Sequence, residues 1–528
     1  MREPSPIILA DIIAAKAESK PDLDILTFEG GGVRDDEIRT YQTLWENGNR
    51  IAAGLIARGM EPGDRFALIL RNHPEFVDAM VGTSISACAF VPIDPRTRGD
   101  KLAYTMHNSG CKGAIIADYA VHFLSEIQAR VPTLEWVWVL ETDEETAMPW
   151  TEVKGAETLG AIYAEPYTTG HDRLTGPEDL FEIMYTSGTT GDPKGVVCRN
   201  GRYGIVAQAR QGVDIRPYTG LSLTHGNAQM ITLGMTIGGD TRSVFSRKFT
   251  KSRLWDITRK YGCTMFNLLG GMATAIYAEP ERDNDGDNPV QFVLSAGMPI
   301  AIWEAFEKRF NVAIAEGYGA VEGGSSSKPI GVGPIGSIGK PPEHLEIRIV
   351  DEDDNDCPIG VPGELISRPR TGPQPKVEYW GNPDASDDKT RGGWLRSGDI
   401  CHLDEEGWLF FDFRKGGGIR RNGDFISPGF VEGVVAASDQ VVDVFVYGVP
   451  AASGAPGEKD VVAAIVPHDR ATFNPVAVFS KCRKDLEPNF VPSFLQLVAE
   501  IPKTASEKPQ ERFLLERFDA GDDEIFSE

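Results

Sequence analysis

The chain has 528 residues, more than one hydrophobic core usually holds, which predicts two or more domains. Its 53 basic and 78 acidic residues give a formal net charge of −25. Such a charge argues against a protein that binds nucleic acid or anionic lipid, because both depend on clustered Lys and Arg.

The N-terminal half alternates amphipathic segments with short apolar ones. We expect helices over residues 7–20, 41–58 and 74–89, and buried strands over residues 65–70, 113–117, 136–140 and 180–185. Strands that alternate with helices in this way indicate parallel α/β sheets. Because the N-terminus lacks an apolar signal region and no apolar run approaches about 18 residues, we expect neither a signal peptide nor integral membrane contact.

The seven cysteines are dispersed along the chain, and none forms a C-x-x-C pair. This distribution is typical of reduced thiols in a cytoplasmic protein, and it argues against a disulfide framework or a zinc site.

The composition changes after about residue 330, where Gly and Pro become dense. Segments rich in β-formers follow at residues 345–350, 363–367 and 407–413. We therefore interpret residues 331–413 as a small β subdomain at the end of an N-terminal domain that spans residues 1–413.

Three consecutive glycines follow Lys415, and their backbone freedom makes residues 414–418 the expected hinge. Beyond them, strand patterns at 441–448 and 461–466 combine with a helix pattern at 475–486. Residues 419–528 are therefore expected to form a small α+β domain.

The string at residues 331–336 satisfies G-x-G-x-x-G, the pattern of a dinucleotide site. Such a site needs a strand before it and a helix after it. Polar residues 325–328 precede the string and two prolines follow it closely, so we interpret it as a turn-rich loop.

The segment Tyr185–Gly195 reads Y-T-S-G-T-T-G-D-P-K-G and directly follows an apolar strand. Glycines allow successive backbone N–H groups to converge on an anion, and hydroxyls and an ammonium add further donors, so a polyphosphate is the expected ligand. A P-loop is excluded because Pro193 precedes Lys194 and Gly195 follows it, where that motif requires Gly and Ser or Thr. The predicted phosphate ligands are Thr186, Ser187, Gly188, Thr189, Thr190, Gly191 and Lys194.

This segment resembles the phosphate loop of the adenylate-forming superfamily, which includes acyl-CoA synthetases, peptide-synthetase adenylation domains and firefly luciferase. Further segments match in the right order along nearly the whole chain, and the general pattern is most similar to acyl-CoA ligases of the carnitine/crotonobetaine and fatty-acid type. The resemblance implies an α/β fold with a large N-terminal domain of two stacked doubly wound sheets plus a β-barrel-like subdomain. It also implies that the small C-terminal α+β domain is mobile.

The resemblance assigns nucleotide contacts in three further segments. L-S-A-G-M-P at residues 294–299 is similar to the adenine-flanking turn, and E-G-Y-G-A-V-E at 316–322 is similar to the segment whose tyrosine covers the adenine and whose last glutamate holds magnesium. R-S-G-D at 396–399 is similar to the family motif whose aspartate binds the ribose, and Arg414 is similar to the arginine that also binds the ribose. The implied ATP ligands are Ala296, Gly297, Glu316, Gly317, Tyr318, Gly319, Asp399 and Arg414, with Glu322 as the metal ligand.

The remaining segments supply the other implied roles. P-K-T-A-S-E-K at residues 502–508 places Lys508 on the lysine that grips the carboxylate and the leaving phosphate. With Thr186 and Glu322, Lys508 is the implied catalytic set. The implied acyl-pocket residues are His225, Gln229, Gly270 and Gly271, the implied CoA residues are Asn422 and Gly423, and the implied hinge residues are Lys415 and Gly416.

The chain departs from the family pattern at Ser397, which replaces the threonine of the ribose motif, and at four further positions. Val321 replaces a threonine, Phe413 replaces the glycine before the hinge arginine, Gly416 stands where a lysine or aspartate is usual, and Glu507 replaces the glycine before Lys508.

The resemblance implies an acid–thiol ligase that uses ATP, Mg²⁺ and coenzyme A. A carboxylic acid would first form an acyl-AMP and then transfer its acyl group to CoA. Two alternatives stay open, namely a stand-alone adenylation enzyme that loads a carrier protein and a degenerate nucleotide-binding regulatory protein. The sequence identifies neither the acid nor the oligomeric state, and it is compatible with a homodimer.

Overall fold

A computed structural model of the chain describes residues 3–169, 176–186, 193–202, 204, 214–415, 418–421, 424–426, 428–452, 459–504 and 509–528. These residues form two compact units. The first unit comprises Met1–Thr250, Asp256–Asn267 and Val377–Asp387, and the second comprises Lys251–Trp255, Leu268–Lys376 and Asp388–Glu528.

The helices and strands follow each other in chain order. The α-helices are α1 Leu9–Ser19, α2 Tyr41–Ala57, α3 Pro74–Ser86, α4 Gly99–Ser109, α5 Val121–Ile127, α6 Leu159–Ala164, α7 Gly234–Gly239, α8 Leu254–Tyr261, α9 Gly270–Tyr277, α10 Trp303–Phe310, α11 Pro383–Lys389, α12 Pro428–Ala436, α13 Pro475–Asp485 and α14 Glu511–Leu515. The strands are β1 Asp24–Phe28, β2 Glu37–Thr40, β3 Arg65–Ile69, β4 Ala89–Pro92, β5 Cys111–Ala117, β6 Trp136–Leu140, β7 Ala156–Thr158, β8 Leu180–Thr186, β9 Lys194–Arg199, β10 Pro217–Thr219, β11 Ser243–Phe245, β12 Met265–Leu269, β13 Phe292–Ala296, β14 Ala313–Ala320, β15 Gly323–Lys328, β16 Ser337–Gly339, β17 Leu345–Val350, β18 Gly363–Pro369, β19 Leu395–Leu403, β20 Leu409–Arg414, β21 Ile419–Arg421, β22 Asp424–Ile426, β23 Val441–Pro450, β24 Lys459–Pro467, β25 Phe494–Leu497 and β26 Ile525–Ser527.

The first unit contains a seven-stranded sheet in the order β7-β6-β5-β3-β4-β8-β9. Its strands are parallel except for β9, which pairs antiparallel with β8. The apolar runs of β3, β5 and β6 are almost wholly buried, as expected for strands covered on both faces. In the same unit, β10 pairs in parallel with β11 and β12, β11 with β1, and β2 pairs antiparallel with β1. The predicted α/β class is confirmed.

The helix predicted over residues 74–89 ends earlier than expected. Its C-cap residue, Ala87, has a left-handed backbone with φ 58°, and Ala89 already begins β4. The apolar residues 87–89 fit either a helix or a strand, and pairing of β4 with β3 decides in favour of the strand.

The second unit contains the predicted β subdomain as a five-stranded antiparallel sheet in the order β16-β20-β19-β18-β17. Its buried core is small and apolar, and consists of Ile338, Ile349, Leu365, Cys401 and Leu409. The unit also contains β13, β14 and β15, of which β13 and β14 are parallel and β15 is antiparallel to β14.

The G-x-G-x-x-G string lies in the connection between β15 and β16. The polar residues before it form part of strand β15, which the sequence interpretation did not anticipate. A strand rather than a helix follows the string, so it lacks the context of a dinucleotide site, as expected.

The C-terminal region of the second unit has its own sheet, in the order β23-β24-β25-β26, packed with α12 and α13. The strands are antiparallel except for the parallel pair β24 and β25, so the predicted α+β character is confirmed. Apolar residues from helices and strands share one buried cluster, including Val431, Val446, Ile465, Val478 and Leu495.

All seven cysteines lie within the described residues, and they form no disulfide with one another. Six are buried, and Cys357 is partly exposed. No helix among the described residues combines the length and the apolar character that crossing a bilayer requires.

Candidate functional site

The predicted phosphate loop closes a β-hairpin of the first unit. Strand β8 ends at Thr186 and β9 begins at Lys194, and these two residues are paired partners in the antiparallel ladder. The predicted ligands between them, Ser187, Gly188, Thr189, Thr190 and Gly191, lie outside the described residues. Because a strand follows the loop where a P-loop has a helix, the rejection of a P-loop is confirmed.

The base of this hairpin is held in place by a neighbouring segment. The backbone N–H of Trp380 donates to the Gly195 carbonyl at 2.7 Å, and the Lys194 ammonium lies 5.4 Å from the centre of the Tyr379 ring. The Thr186 hydroxyl donates to the Lys194 carbonyl at 3.4 Å. Both ends of the loop are therefore fixed, and Thr186 and Lys194 flank it as predicted.

A buried carboxyl group on β8 contacts the predicted acyl segment. The Gln229 side-chain Nε2 donates to Glu182 Oε1 and to the Leu223 carbonyl, each at 2.8 Å. Burial raises the pKa of Glu182 to about 7, and the bond from Gln229 partly opposes that rise. Sequence reasoning missed Glu182, although an acidic residue inside an apolar strand is itself an unusual signal.

The acyl segment continues from His225 into a π-helix, Ala228–Leu233. Such helices are rare and are frequent at functional sites. The Thr232 hydroxyl donates to Asn267 Oδ1 at 3.0 Å, and Asn267 Nδ2 donates to Asn227 Oδ1. His225 is partly exposed, whereas Gln229 is buried with its amide nitrogen bound to protein acceptors.

In the second unit, the predicted adenine-flanking turn is anchored by a buried glutamate. Glu316, on β14, accepts the backbone N–H groups of Gly297 and, at 3.3 Å, of Met298. Burial raises the pKa of Glu316, and these two N–H groups oppose the rise. Ala296 ends β13 next to this turn, and Gly297 adopts a left-handed backbone with φ 88°. Glu316 therefore fixes the backbone of this turn by accepting two of its N–H groups.

Gly270 brings the predicted acyl and adenine segments together. It begins α9, and a side chain there would collide with the backbone carbonyl of Gly297. Gly270 therefore permits a backbone approach that no other residue allows. Gly271 follows it on the same helix and is partly exposed.

Tyr318, Asp399 and Arg414, which the resemblance assigns to the nucleotide, are in contact through the Asp399 carboxylate. The Tyr318 hydroxyl donates to Asp399 Oδ2 at 2.5 Å, and Arg414 Nε lies 3.0 Å from Asp399 Oδ1. Burial and the neighbouring carboxylate raise the pKa of Tyr318. Asp399 and Arg414 are paired partners on β19 and β20, so the sheet register places the carboxylate against the guanidinium. The Asp399 carboxylate and the Arg414 guanidinium therefore lie side by side.

The other residues of the implied adenine segment lie on or next to β14. Gly317 and Gly319 are opposite Ser327 and Ser325 of β15, and Glu322 occupies the turn between the two strands. Val321, which replaces the family threonine, lies in the same turn. The Ser326 hydroxyl donates to the Ile338 carbonyl at 2.7 Å.

Lys389 is a charged neighbour that sequence reasoning missed. Its ammonium, at the end of α11, donates to the Ser397 carbonyl at 3.1 Å. Burial lowers the pKa of Lys389, and the charges of Glu322 and Asp399 oppose that change. The lysine therefore lies close to both the predicted metal ligand and the predicted ribose ligand.

The hinge and the C-terminal motifs are described only in part. The backbone N–H of Lys415 donates to the Gly398 carbonyl at 2.8 Å. Lys503, in the same motif as Lys508, pairs with Asp443 at 2.6 Å. Gly416, Asn422, Gly423 and Lys508 lie outside the described residues.

Comparison with known proteins matches two families along the chain. The AMP-binding enzyme family matches residues 13–376, and the AMP-binding enzyme C-terminal domain matches residues 431–508. The medium/long-chain-fatty-acid–CoA ligase FadD17 of Mycobacterium marinum is 29% identical over 499 residues, which cover 92% of this chain and 93% of the relative.

Two further similarities extend this comparison. The steroid-22-oyl-CoA synthetase of Rhodococcus jostii is 29% identical over 499 residues, which cover 90% of this chain and 86% of the relative. The crystal structure of the anthranilate CoA ligase AuaEII in complex with anthranoyl-AMP superposes with a TM-score of 0.84 at 21% identity, with 96% of each chain covered. This last similarity supports the fold.

Proposed function

The chain belongs to the AMP-binding enzyme family, and from this premise we propose that it is an ATP-dependent acid–CoA ligase that works through an acyl-AMP. The two family matches together span most of the chain, and the relatives that it matches along nearly their full length are CoA ligases. The observation that carries the proposal is the contact of Tyr318 and Arg414 with Asp399, because it joins residues that the resemblance assigns to the nucleotide and that lie about eighty positions apart in the sequence.

We propose that Asp399 and Arg414 bind the ribose of ATP. A buried carboxylate can accept bonds from two hydroxyl groups, and the adjacent guanidinium can donate to a third oxygen. The Tyr318 ring would lie against the adenine, whose flat face suits an aromatic neighbour. The turn at Gly297, held by Glu316, would border the base on its other edge.

The first half-reaction joins the acid to AMP. An oxygen of the acid's carboxylate forms a bond to the α-phosphorus of ATP, the bond to the β-phosphate oxygen breaks, and pyrophosphate leaves. Charge spreads over the phosphoryl oxygens, so we propose that donors of the 186–194 loop and Lys508 stabilise it. Donors in comparable oxyanion sites each contribute on the order of 3 kcal/mol.

We propose Glu322 as the protein ligand of magnesium. Mg²⁺ usually binds proteins through one or two carboxylates and completes its shell with phosphates and water. Among the residues that the structure describes, no cluster of three or more potential ligands exists, and a single carboxylate in a turn fits a metal that arrives on ATP. Bound there, Mg²⁺ would neutralise part of the phosphate charge.

In the second half-reaction, the CoA thiol attacks the acyl carbon and AMP leaves. We propose that residues 1–413 and 419–528 act as two domains around a hinge at 414–418, so that Lys508 withdraws and the thiol enters near Asn422 and Gly423. The mixed anhydride is already reactive, so this step depends mainly on positioning.

For the acid, we propose a bulky and largely apolar carboxylic acid. Small residues are dense in the two sequence segments that the resemblance implies for acyl binding, including Gly234, Gly238, Gly239, Gly270, Gly271 and Ala273. The relatives named above act on medium- or long-chain fatty acids and on a steroid acid, which supports the same class.

The decisive experiment is ATP–pyrophosphate exchange against a panel of medium-chain, long-chain, steroid and aryl acids, repeated with CoA while AMP and thioester are measured. We expect exchange with a bulky apolar acid and CoA-dependent thioester. Exchange without thioester would favour a carrier-protein loader. Measurable ATP binding without exchange would favour a nucleotide-binding regulatory protein.

A Lys508→Ala variant tests the proposed catalytic lysine. We expect acid-dependent exchange to fall by at least about a hundredfold, because one charged donor is removed from the transition state, while ATP binding is largely kept. Lys481→Ala is the matched control, since Lys481 forms an exposed pair with Asp485 along α13. Unchanged exchange in Lys508→Ala would remove this lysine from the mechanism.

A further inference from the structure

Glu364 is a buried acidic residue of β18 that none of the implied site assignments includes. Only 6% of its side chain is exposed. Its Oε2 lies 3.1 Å from Arg396 Nη1 and 2.9 Å from Lys415 Nζ, and its Oε1 accepts the backbone N–H of Gly398 at 3.3 Å. One carboxylate thus contacts both the residue before Asp399 in β19 and Lys415 of the expected hinge.

The backbone of Gly398, the residue before Asp399, is held through both its N–H and its carbonyl. The N–H of Gly398 donates to Glu364, and the carbonyl of Gly398 accepts the N–H of Lys415 at 2.8 Å. The N–H of Asp399 donates to the Ser397 hydroxyl at 2.9 Å. The position of the Asp399 carboxylate therefore depends on contacts made by Glu364 and by Lys415.

The two cations bound to Glu364 differ in how firmly they are held. The Arg396 side chain is 10% exposed and also pairs with Asp354, so it is a permanent partner. The Lys415 side chain is 54% exposed, so water can replace Glu364 at its ammonium at little cost. Arg396 therefore keeps the buried carboxylate compensated, and Lys415 is the partner that can leave.

We propose that Glu364 is a positioning residue that fixes the segment of β19 at Asp399, which binds the ribose, and couples it to the hinge through Lys415. This inference rests on the proposed function, which assigns the ribose to Asp399 and the hinge to residues 414–418. Release of Lys415 from Glu364 loosens the hold on Gly398, so the state of the hinge and the affinity for the nucleotide change together.

A double-mutant cycle with Glu364→Gln, Lys415→Met and the double variant tests the inference. Calorimetric titration with ATP and Mg²⁺ measures the affinity for ATP and needs no knowledge of the acid. Once an acid is found, the KM for ATP and the kcat of pyrophosphate exchange are measured as well. Glu364→Gln is expected to weaken ATP binding about tenfold and to raise KM with little change in kcat, because contacts that hold the nucleotide equally in the ground and transition states act on KM. Lys415→Met is expected to weaken binding about threefold, as for loss of one partly exposed charge contact.

The double variant is expected to bind ATP no more weakly than Glu364→Gln alone, since both substitutions remove the same contact. Lys415→Arg, which keeps the charge, is expected to restore binding. The matched control is Glu346→Gln, which removes a pair with Arg368 at 2.8 Å on the neighbouring strand β17 and is expected to leave ATP binding and KM unchanged. Amide exchange at residues 396–400 and 414–415 is expected to accelerate in Glu364→Gln and not in the control.

Three results would overturn the inference. The first is a wild-type affinity for ATP in Glu364→Gln, and the second is a double variant whose loss equals the product of the two single losses. A loss of kcat with unchanged KM would reduce Glu364 to a contributor to stability and would likewise overturn it. If the wild-type protein itself bound no ATP, the proposed function would fail first, which separates the two failures.

Discussion

At the residue scale, the most informative side chains are buried carboxylates held by specific donors, which are neutral for Glu182 and Glu316 and cationic for Glu364. Glu182, Glu316 and Glu364 are each buried, and each is linked to a segment that the sequence associates with a substrate. Isolated charges rarely occur in such positions unless a specific interaction holds them. The resemblance had already assigned Glu316 to the nucleotide. The partners of Glu182 and Glu364 lie far away in the sequence, which is why inspection of single motifs did not single these two out.

Glu182 makes a pH-dependent contribution to stability that can be measured. Its pKa is raised from 4.5 to about 7 in the folded protein, so the native state holds a proton that the unfolded state has lost between these values. Stability from this group is therefore present below the unfolded pKa and is lost as the pH rises through about 7. We expect Glu182→Gln to unfold at the same temperature as the wild type at pH 5 and to be more stable at pH 8, by roughly 1–3 kcal/mol.

The measurement is thermal unfolding of both proteins across this pH range. Glu46→Gln is a suitable control because Glu46 is a half-exposed residue of α2 that lies 3.7 Å from Arg50. A constant difference between Glu182→Gln and wild type at all pH values would contradict the assignment.

At the element scale, the spacing of apolar residues predicted the bounds of helices and strands well where an element has a single hydrophobic pattern. The bounds of α2, β6 and β17 fall within one residue of the expected ones, because their apolar spacing admits one period only. The end of α3 was misplaced because Ala and Cys suit helix and strand alike. The contact of Tyr318 with Asp399 joins β14 to β19, which belong to different sheets, and spacing along one chain contains no such information.

The junction of α9 with the turn after β13 provides an element-scale test. We expect Gly270→Ala to lower the free energy of unfolding by about 1–3 kcal/mol, because the new methyl group overlaps the Gly297 carbonyl. It should also reduce ATP affinity, since that turn is proposed to border the adenine. The change is measured by denaturant unfolding and by calorimetric titration with ATP.

Gly433→Ala in α12 is the matched control for this substitution. Nothing lies within 4 Å of the position that its methyl group would take, so the substitution changes stability only through the higher helix propensity of alanine. A gain of about 0.5–1 kcal/mol is expected there. Equal effects of the two substitutions would show that the close approach at Gly270 does not matter.

At the scale of the whole molecule, the family pattern predicted the order of the folded parts, whereas it predicts no contacts for the positions at which this chain departs from it. Gly416 stands where the family has a charged hinge residue, and Glu364 with Lys415 offers a charged contact one residue earlier. A single sequence does not reveal that exchange, because Glu364 and Lys415 are separated by fifty residues of chain.

Stiffening of the expected hinge tests the proposed domain motion. Gly417→Pro fixes one backbone dihedral and removes one N–H, so rotation about residues 414–418 should become slower. We expect thioester formation from preformed acyl-AMP to fall about tenfold or more while pyrophosphate exchange changes much less, as expected when a conformational step limits one reaction. Gly417→Ala, which leaves most of the backbone freedom, serves as the control, and equal losses in both half-reactions would argue against a hinge at this place.

The burial of six cysteines, with Cys357 alone among the seven partly exposed, has a practical consequence. A maleimide dye added to the native protein should attach almost entirely at Cys357, beside the β17–β18 strand pair of the β subdomain. Stoichiometric labelling at that thiol would supply one fixed fluorophore without prior removal of native cysteines. A second cysteine introduced on the surface of the C-terminal region would then complete a donor–acceptor pair, with which the distance between the two labels could be followed through each half-reaction.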